Sequence, residues 1–379
     1  MSLKKIDPLR LNWTCRKISF RVKEEPFEGS DYLPNQMLAR VLADYMATLP
    51  WMTPFSQEPM AVEQPEDIAE CWSLFADGAP LPLLEALAPL FTITGATDGL
   101  ERLPLLKRAF ELLLKISGLI GVSQVLEREK QGRPMLEATH TDLIDFFTQP
   151  KPNWHRAYLY HAGALNRHRG TLPVDEIRAL ETTAQTDEFQ NAINFFNDLM
   201  LIRTPESQPP PPDNLAFAEQ QLATVLPHLL YPFGYQWRSN RTWREPALAK
   251  RRVNNLVCLN LNGNPDESEV RTLELPSPFP GNAVDMVRTE YESRRRAQPL
   301  SLHPFIIDEN TVRAIVPASQ EGSAPPQLYY LDGTSDDHYR FLSFSSSDEL
   351  LVERTPGGPF ESLRRDLRAI EDSLRRRQS

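Results

Sequence analysis

The chain reads as an α+β protein: an irregular helical N-terminal domain, then a mainly antiparallel β domain that ends in an amphipathic helix. Three observations predict this. Apolar residues recur at spacings of three and four up to residue 200, and at a spacing of two from Val253 onwards. Four consecutive prolines, Pro209 to Pro212, stand between the two patterns, where they favour an extended spacer and halt the preceding helical pattern. Beyond Pro356, Gly357, Gly358 and Pro359 the helical period returns. The expected organisation is a strand segment within 1–30, a helical domain over 31–203, a proline-rich linker over 204–213 and a β-rich domain over 214–379.

Taken in order, Leu11, Trp13 and Cys15 alternate in one phase and Ile18, Phe20 and Val22 in the other, a slip that suggests a bulge or two short strands. Strands need partners for their backbone groups, so residues 11–23 are expected to pair with the downstream sheet or to fold on themselves. Leu38, Val41, Leu42, Tyr45 and Leu49 then mark a one-sided helix. A second comprises Ile68, Cys71, Trp72 and Phe75, introduced by Pro65 near its first turn. Arg102 to Arg128 is apolar on several faces, as expected of a helix enclosed by others, with Gly118 and Gly121 marking a break or a close approach. Phe189, Ile193, Phe196 and Leu199 complete the helical half.

Past the prolines, 255–261 and 269–275 flank an Asn-Gly turn signal at Asn262 and Gly263. Residues 305–307 and 311–316 flank Asp308, Glu309 and Asn310, and 328–331 and 338–344 flank Asp332 and Gly333. With 283–296 read as helix, these hairpins predict an antiparallel sheet of about six strands. Phe360, Leu363, Leu367, Ile370 and Leu374 form the narrow seam of a closing helix. A sheet closed by a terminal helix is similar in outline to PH-like recognition domains, a likeness of fold that assigns no function.

Composition narrows the function classes. The chain has 379 residues, 41% apolar and 24% charged, which suits a folded protein. A formal charge of −10 argues against a surface coated with nucleic acid or anionic lipid, though a local basic patch can still bind either. Arginine dominates the basic residues, and Lys250 is the only lysine in the C-terminal half, so Schiff-base chemistry there is disfavoured. Cys15, Cys71 and Cys258 are far apart with no Cys-x-x-Cys, which predicts reduced thiols rather than disulfides or a zinc site. The N-terminus lacks the apolar segment of a signal peptide, and no long apolar run suggests membrane insertion, so a cytoplasmic location is expected.

Three surfaces are candidates for partner contacts. From Val41 to Glu101 there is no lysine or arginine among ten acidic residues, a stretch suited either to solvated helix faces or to steering a basic partner. Between Tyr231 and Arg252 the charge is reversed: Tyr235, Trp237 and Trp243 interleave with Arg238, Arg241, Arg244, Arg251 and Arg252. Aromatic faces for stacked bases and guanidinium groups for phosphates are what single-strand binders use, while an interior role for the rings is the alternative. The seam helix can dock on its own sheet or enter a partner's groove through Phe360, Leu363, Leu367, Ile370 and Leu374.

Catalytic signals are thin. Arg156 and His161 match the Arg-x4–6-His pattern of HEPN ribonucleases, but chance alone supplies about two such matches in a chain of this composition, and three occur. His161 and His168 share a helix spacing without the further ligands zinc needs. Asp332, Asp336, Asp337 and His338 suit turn chemistry better than a calcium loop. Phosphate-loop, dinucleotide, zincin and nucleophile-elbow motifs do not occur. The expectation is a non-enzymatic cytosolic interaction or scaffold subunit whose partners are other proteins, with no cofactor and no metal. The alternatives are a nucleic-acid-binding subunit or a HEPN-like ribonuclease.

Overall fold

A computed structural model of the chain describes residues 33–49, 60–92, 102–130, 174–198, 212–243, 255–263, 270–274, 283–288, 299–312 and 326–376. Helices occupy the N-terminal half, antiparallel sheets the C-terminal half, and a helix closes the chain, so the fold is α+β. It divides into two compact units, each discontinuous in sequence. The first draws on Met1–Phe75, Leu87–Leu113 and Asp175–Tyr231, and the second on Ala76–Ala86, Leu114–Val174 and Pro232–Ser379. Each unit therefore draws on both sides of the proline tract, of which residues 204–211 lie outside the described residues.

Among the described residues the helices that precede the sheets are α1 (Gln36–Ala47), α2 (Pro65–Gly78), α3 (Leu81–Phe91), α4 (Arg102–Lys130), α5 (Ile177–Ala184), α6 (Asp187–Asp198) and α7 (Pro212–Leu229). In the first unit α7 packs on α1 and α6. Leu38 and Leu42 of α1, Phe75 of α2, Leu106 and Phe110 of α4, Phe189 and Phe196 of α6 and Leu222 of α7 are buried there. Phe110 stacks on Phe196 at 4.6 Å between centroids, and Trp72 on Phe91 at 4.4 Å. A polar knot sits inside this core. Arg102 Nη2 lies 2.5 Å from Glu219 Oε2 with both side chains fully buried, and it donates to Asn35 Oδ1 at 2.6 Å. Asn35 itself adopts φ 68°, a left-handed conformation that asparagine tolerates, and from there gives its N–H to Glu219 at 3.0 Å and its amide to Leu90 O at 2.7 Å.

α4 runs unbroken through Gly118 and Gly121, both buried, so these glycines mark no break in the helix. By length and composition it could cross a membrane, but 83% of its apolar window is buried inside the protein.

Among the described residues the second unit holds nine strands: β1 (Tyr235–Trp243), β2 (Asn255–Asn260), β3 (Val270–Glu274), β4 (Val284–Arg288), β5 (Leu300–Ser301), β6 (Ile306–Asp308), β7 (Leu328–Thr334), β8 (His338–Ser343) and β9 (Glu349–Glu353). The short helix α8 (Glu309–Val312) follows β6, and α9 (Glu361–Arg376) ends the described chain. Where one six-stranded sheet was expected there are two, a five-stranded sheet ordered β3-β2-β1-β4-β5 and a four-stranded sheet ordered β6-β7-β8-β9. Every pairing is antiparallel.

The hairpin of 255–261 with 269–275 forms as β2 and β3, Leu256 opposite Leu273. Its turn signal has further partners: Gly263, at φ 82°, gives its N–H to Ala79 O at 2.9 Å, and Asn262 holds Gly78 O and Tyr235 O, each at 3.0 Å.

Three expectations need correction. Residues 284–288 are strand, not helix; four of the five are buried, so the polar alternation that betrays a half-exposed strand is missing. Residues 311–312 belong to α8, and β6 pairs with β7 instead. The cause is Asp308, which is buried, accepts the Ser239 hydroxyl at 2.7 Å, and holds the N–H groups of Asn310 and Gln327 at 3.2 Å. Finally, the β7–β8 turn falls at 335–337, where Ser335 N–H bonds His338 O at 2.8 Å, and not at Asp332 and Gly333. Asp332 lies within β7 at a register shift, its carboxylate taken by Lys115 of α4 at 2.8 Å and by Arg340. The expected strands at 11–23 lie outside the described residues.

Candidate functional site

The Trp/Arg-rich segment builds β1, and its rings turn inward. Tyr235 is 1% exposed and Trp237 0%. Trp237 donates its indole N–H to Pro232 O at 3.3 Å, and the Tyr235 hydroxyl accepts Arg288 Nη2 at 2.9 Å. A ring withdrawn from water offers no face to a base, so both rings serve the core of the five-stranded sheet. Arg238 is half-buried and bonded to Gln236. Arg241 and Trp243 lie on β1, but their side chains, like Arg244, Arg251 and Arg252, lie outside the described residues. So do Arg156, His161 and His168.

The terminal seam is occupied from within. Leu363, Leu367 and Leu374 of α9 are buried with Phe360 just ahead of them, Ile370 is half-buried, and α9 packs against β9. The sequence pattern did not reveal the polar clamp beside the seam. Glu371, 2% exposed, accepts the Tyr339 hydroxyl at 2.9 Å, both oxygens meet Arg354 Nη2 at 2.5 Å, and Arg375 Nη2 approaches at 2.6 Å. Burial, then the neighbouring Glu371 carboxylate, pushes the Tyr339 phenol above its ordinary range. At the start of α9, Glu361 binds Arg364 and the Gly357 N–H, and these contacts hold its carboxyl at about 2. This machinery fastens a helix to a sheet. Each charge in it already has a protein partner.

Among the described residues no group of three or more His, Cys, Asp or Glu side chains is placed to hold a metal ion. Cys71 is buried and free, its thiol directed at Ala39 O at 3.2 Å.

The remaining candidate is the outer face of α2. Its stripe of Ile68, Cys71 and Phe75 is buried, and Asp67 anchors its start by accepting the N–H groups of Glu63 at 2.9 Å and Gln64 at 2.8 Å. Those bonds, Gln64 first, hold the Asp67 carboxyl below the usual range. The opposite face carries Glu66, Glu70 and Ser73, all exposed, with Leu74 among them, an apolar side chain 38% open to water. Residues 66, 70, 73 and 74 fall at helical spacings on one side. Arg40 of α1 borders the stretch, its guanidinium spent on Val62 O at 3.1 Å. The acidic run is visible in the sequence, whereas the exposure of Leu74 shows only in the packed helix. Its signal is an apolar residue out of phase with the buried stripe and one turn from a glutamate.

The chain matches no protein-family model, no curated protein and no solved structure.

Proposed function

We propose that this chain is a non-enzymatic cytosolic interaction subunit that receives a basic protein partner on the outer face of α2. The observation that carries the reading is Leu74 standing exposed between Glu66, Glu70 and Ser73, within a stretch from Val41 to Glu101 that has no lysine or arginine. Desolvating one leucine supplies local affinity, and the surrounding carboxylates steer a cation-bearing surface and speed its arrival. The burial of Tyr235 and Trp237 favours this reading over the nucleic-acid one, because it takes two of the three interleaved rings away from solvent.

The test is affinity purification of the full chain from its native cells at low and moderate salt, comparing wild type with Glu66→Lys/Glu70→Lys and with Leu74→Ser. A stoichiometric protein partner is expected with wild type, weakened by salt and lost with both variants, while circular dichroism shows an unchanged fold. Recovery of the same partner by all three chains overturns the reading. So does a steeply salt-dependent gel shift with single-stranded nucleic acid and no protein partner.

A further inference from the structure

The four-stranded sheet ends at β9, and among the described residues no strand pairs with its outer edge. Ser343 N–H bonds Asp348 O at 3.0 Å, and Arg354 N–H bonds Asp337 O at 2.8 Å. With Phe341 opposite Leu350 and Tyr339 opposite Val352, these bonds fix the phase of the ladder. Asp348, Leu350, Val352 and Arg354 turn their backbone groups to β8, so Glu349, Leu351 and Glu353 turn theirs outward. The side chains of those three residues are exposed, Leu351 by 49%, whereas Leu350 and Val352 are buried. Arg340, opposite Leu351, gives its guanidinium to Asp332 and meets Glu349 only at 4.0 Å. His338, opposite Glu353, directs its Nδ1 to Ser335 Oγ at 3.1 Å. The edge is a template for one more strand, and it sets a leucine midway between two carboxylates four residues, about 13 Å, apart.

We propose that β9 receives an extended basic segment of another protein as a fifth strand of that sheet, the segment carrying Lys or Arg at positions i and i+4 with apolar or β-branched residues between them. In such strand addition the backbone pairing supplies affinity and the alternate side chains supply selectivity. In an antiparallel pairing, the arrangement of every pair in the sheet, position i stands opposite Glu353, i+2 opposite Leu351 and i+4 opposite Glu349. Opposite charges then meet directly across the strands, with a β-branched residue beside the leucine. Positions i+1 and i+3 fall on the face of Val352 and Leu350, so apolar residues there extend the buried side. A second copy of β9 fits worse: antiparallel self-pairing about Leu351 sets Glu349 opposite Glu353, like against like. The two glutamates therefore select against another copy of the chain and for a cationic strand. The edge belongs to the second unit, and its role does not depend on the α2 face.

Residue-level amide hydrogen exchange on the full chain tests the pairing. The probe, added in excess, is the peptide Ser-Lys-Val-Thr-Ile-Arg-Ser, compared with Ser-Glu-Val-Thr-Ile-Glu-Ser and with the first peptide N-methylated at its threonine. The basic peptide is expected to slow exchange of the outward N–H groups of Glu349, Leu351 and Glu353 at least about tenfold, and the acidic peptide to leave it unchanged. N-methylation removes the N–H that meets Leu351 O, so it is expected to abolish the slowing although every charge remains. In Glu349→Lys/Glu353→Lys the preference is expected to invert, the acidic peptide protecting and the basic one not. The amides of Leu350 and Val352, bonded to β8, stay protected throughout and report that the sheet is intact. Four results overturn the proposal: no slowing with the basic peptide, equal slowing with both peptides, slowing that survives N-methylation, or protection that grows with protein concentration in the absence of peptide, which assigns the edge to a second copy.

Discussion

A titratable side chain that leaves water must find a partner or keep its uncharged form. Cys71 does the second. It is fully buried, and desolvation pushes its thiol from about 9 up to about 12. The native state therefore holds the proton while the unfolded chain loses it between those values, so this residue's contribution to stability is complete below pH 9 and is lost as pH rises towards 12, at about 1.4 kcal/mol per unit of separation. Cys71→Ala is expected to flatten the fall of the urea midpoint between pH 9 and 10.5. At pH 8 the native thiol is expected to resist a thiol reagent until the protein is unfolded; labelling at the rate of a free thiol would contradict this. Asp332 takes the first course. In sequence it looks like half of an Asp-Gly turn, and only its neighbours in space, Lys115 and Arg340, show it to be a counter-charge inside a strand.

At the scale of elements, what the sequence reveals depends on how many faces an element buries. α1, α2 and α6 each bury one stripe, and the spacings of Leu38, Ile68 and Phe189 with their neighbours announce them. β4 is buried on both faces and loses its alternation, so Val284, Met286 and Val287 imitate a helix. α9 is legible in its leucines and silent about Glu371, because a glutamate on an Arg-rich helix looks like any solvated charge until Tyr339 and Arg354 are placed against it. The clamp fastens the element, and its two substitutions differ in cost. Glu371→Ala leaves the Arg354 guanidinium nearly buried beside no carboxylate and is expected to cost about 3 kcal/mol, whereas Tyr339→Phe removes one hydrogen bond and costs about 1 kcal/mol. Urea unfolding measures both. Equal costs for the two would mean that solvent replaces the lost carboxylate. The α2 face was half legible for a related reason: charge runs are visible in sequence, but the exposure of Leu74 is a property of the packed helix.

At the scale of the whole molecule, the change of period from 3.6 to 2 is written along the chain, but the grouping of segments into units is written only in contacts between distant residues. The first unit takes α7 from beyond the proline tract, and α7 brings Glu219, the carboxylate that Arg102 and Asn35 share. A chain ending at residue 203 keeps every helix of the first half except α7. It loses the packing of α7 on α1 and α6 and takes the Glu219 carboxylate away from the buried Arg102 guanidinium, a loss of about 3 to 5 kcal/mol in addition to the uncovered apolar surface. That is a large share of the 5 to 15 kcal/mol that holds a typical domain together. Residues 31–203 expressed alone are therefore expected to unfold without a cooperative transition and to give narrow amide dispersion in NMR spectra. The full-length variant Glu219→Gln, which keeps α7 but removes the charge, is expected to lower the melting temperature while leaving the transition cooperative. A fragment 31–203 that melts sharply on its own would show that α7 is dispensable and that the buried ion pair is not what ties the far side of the prolines to the helical core.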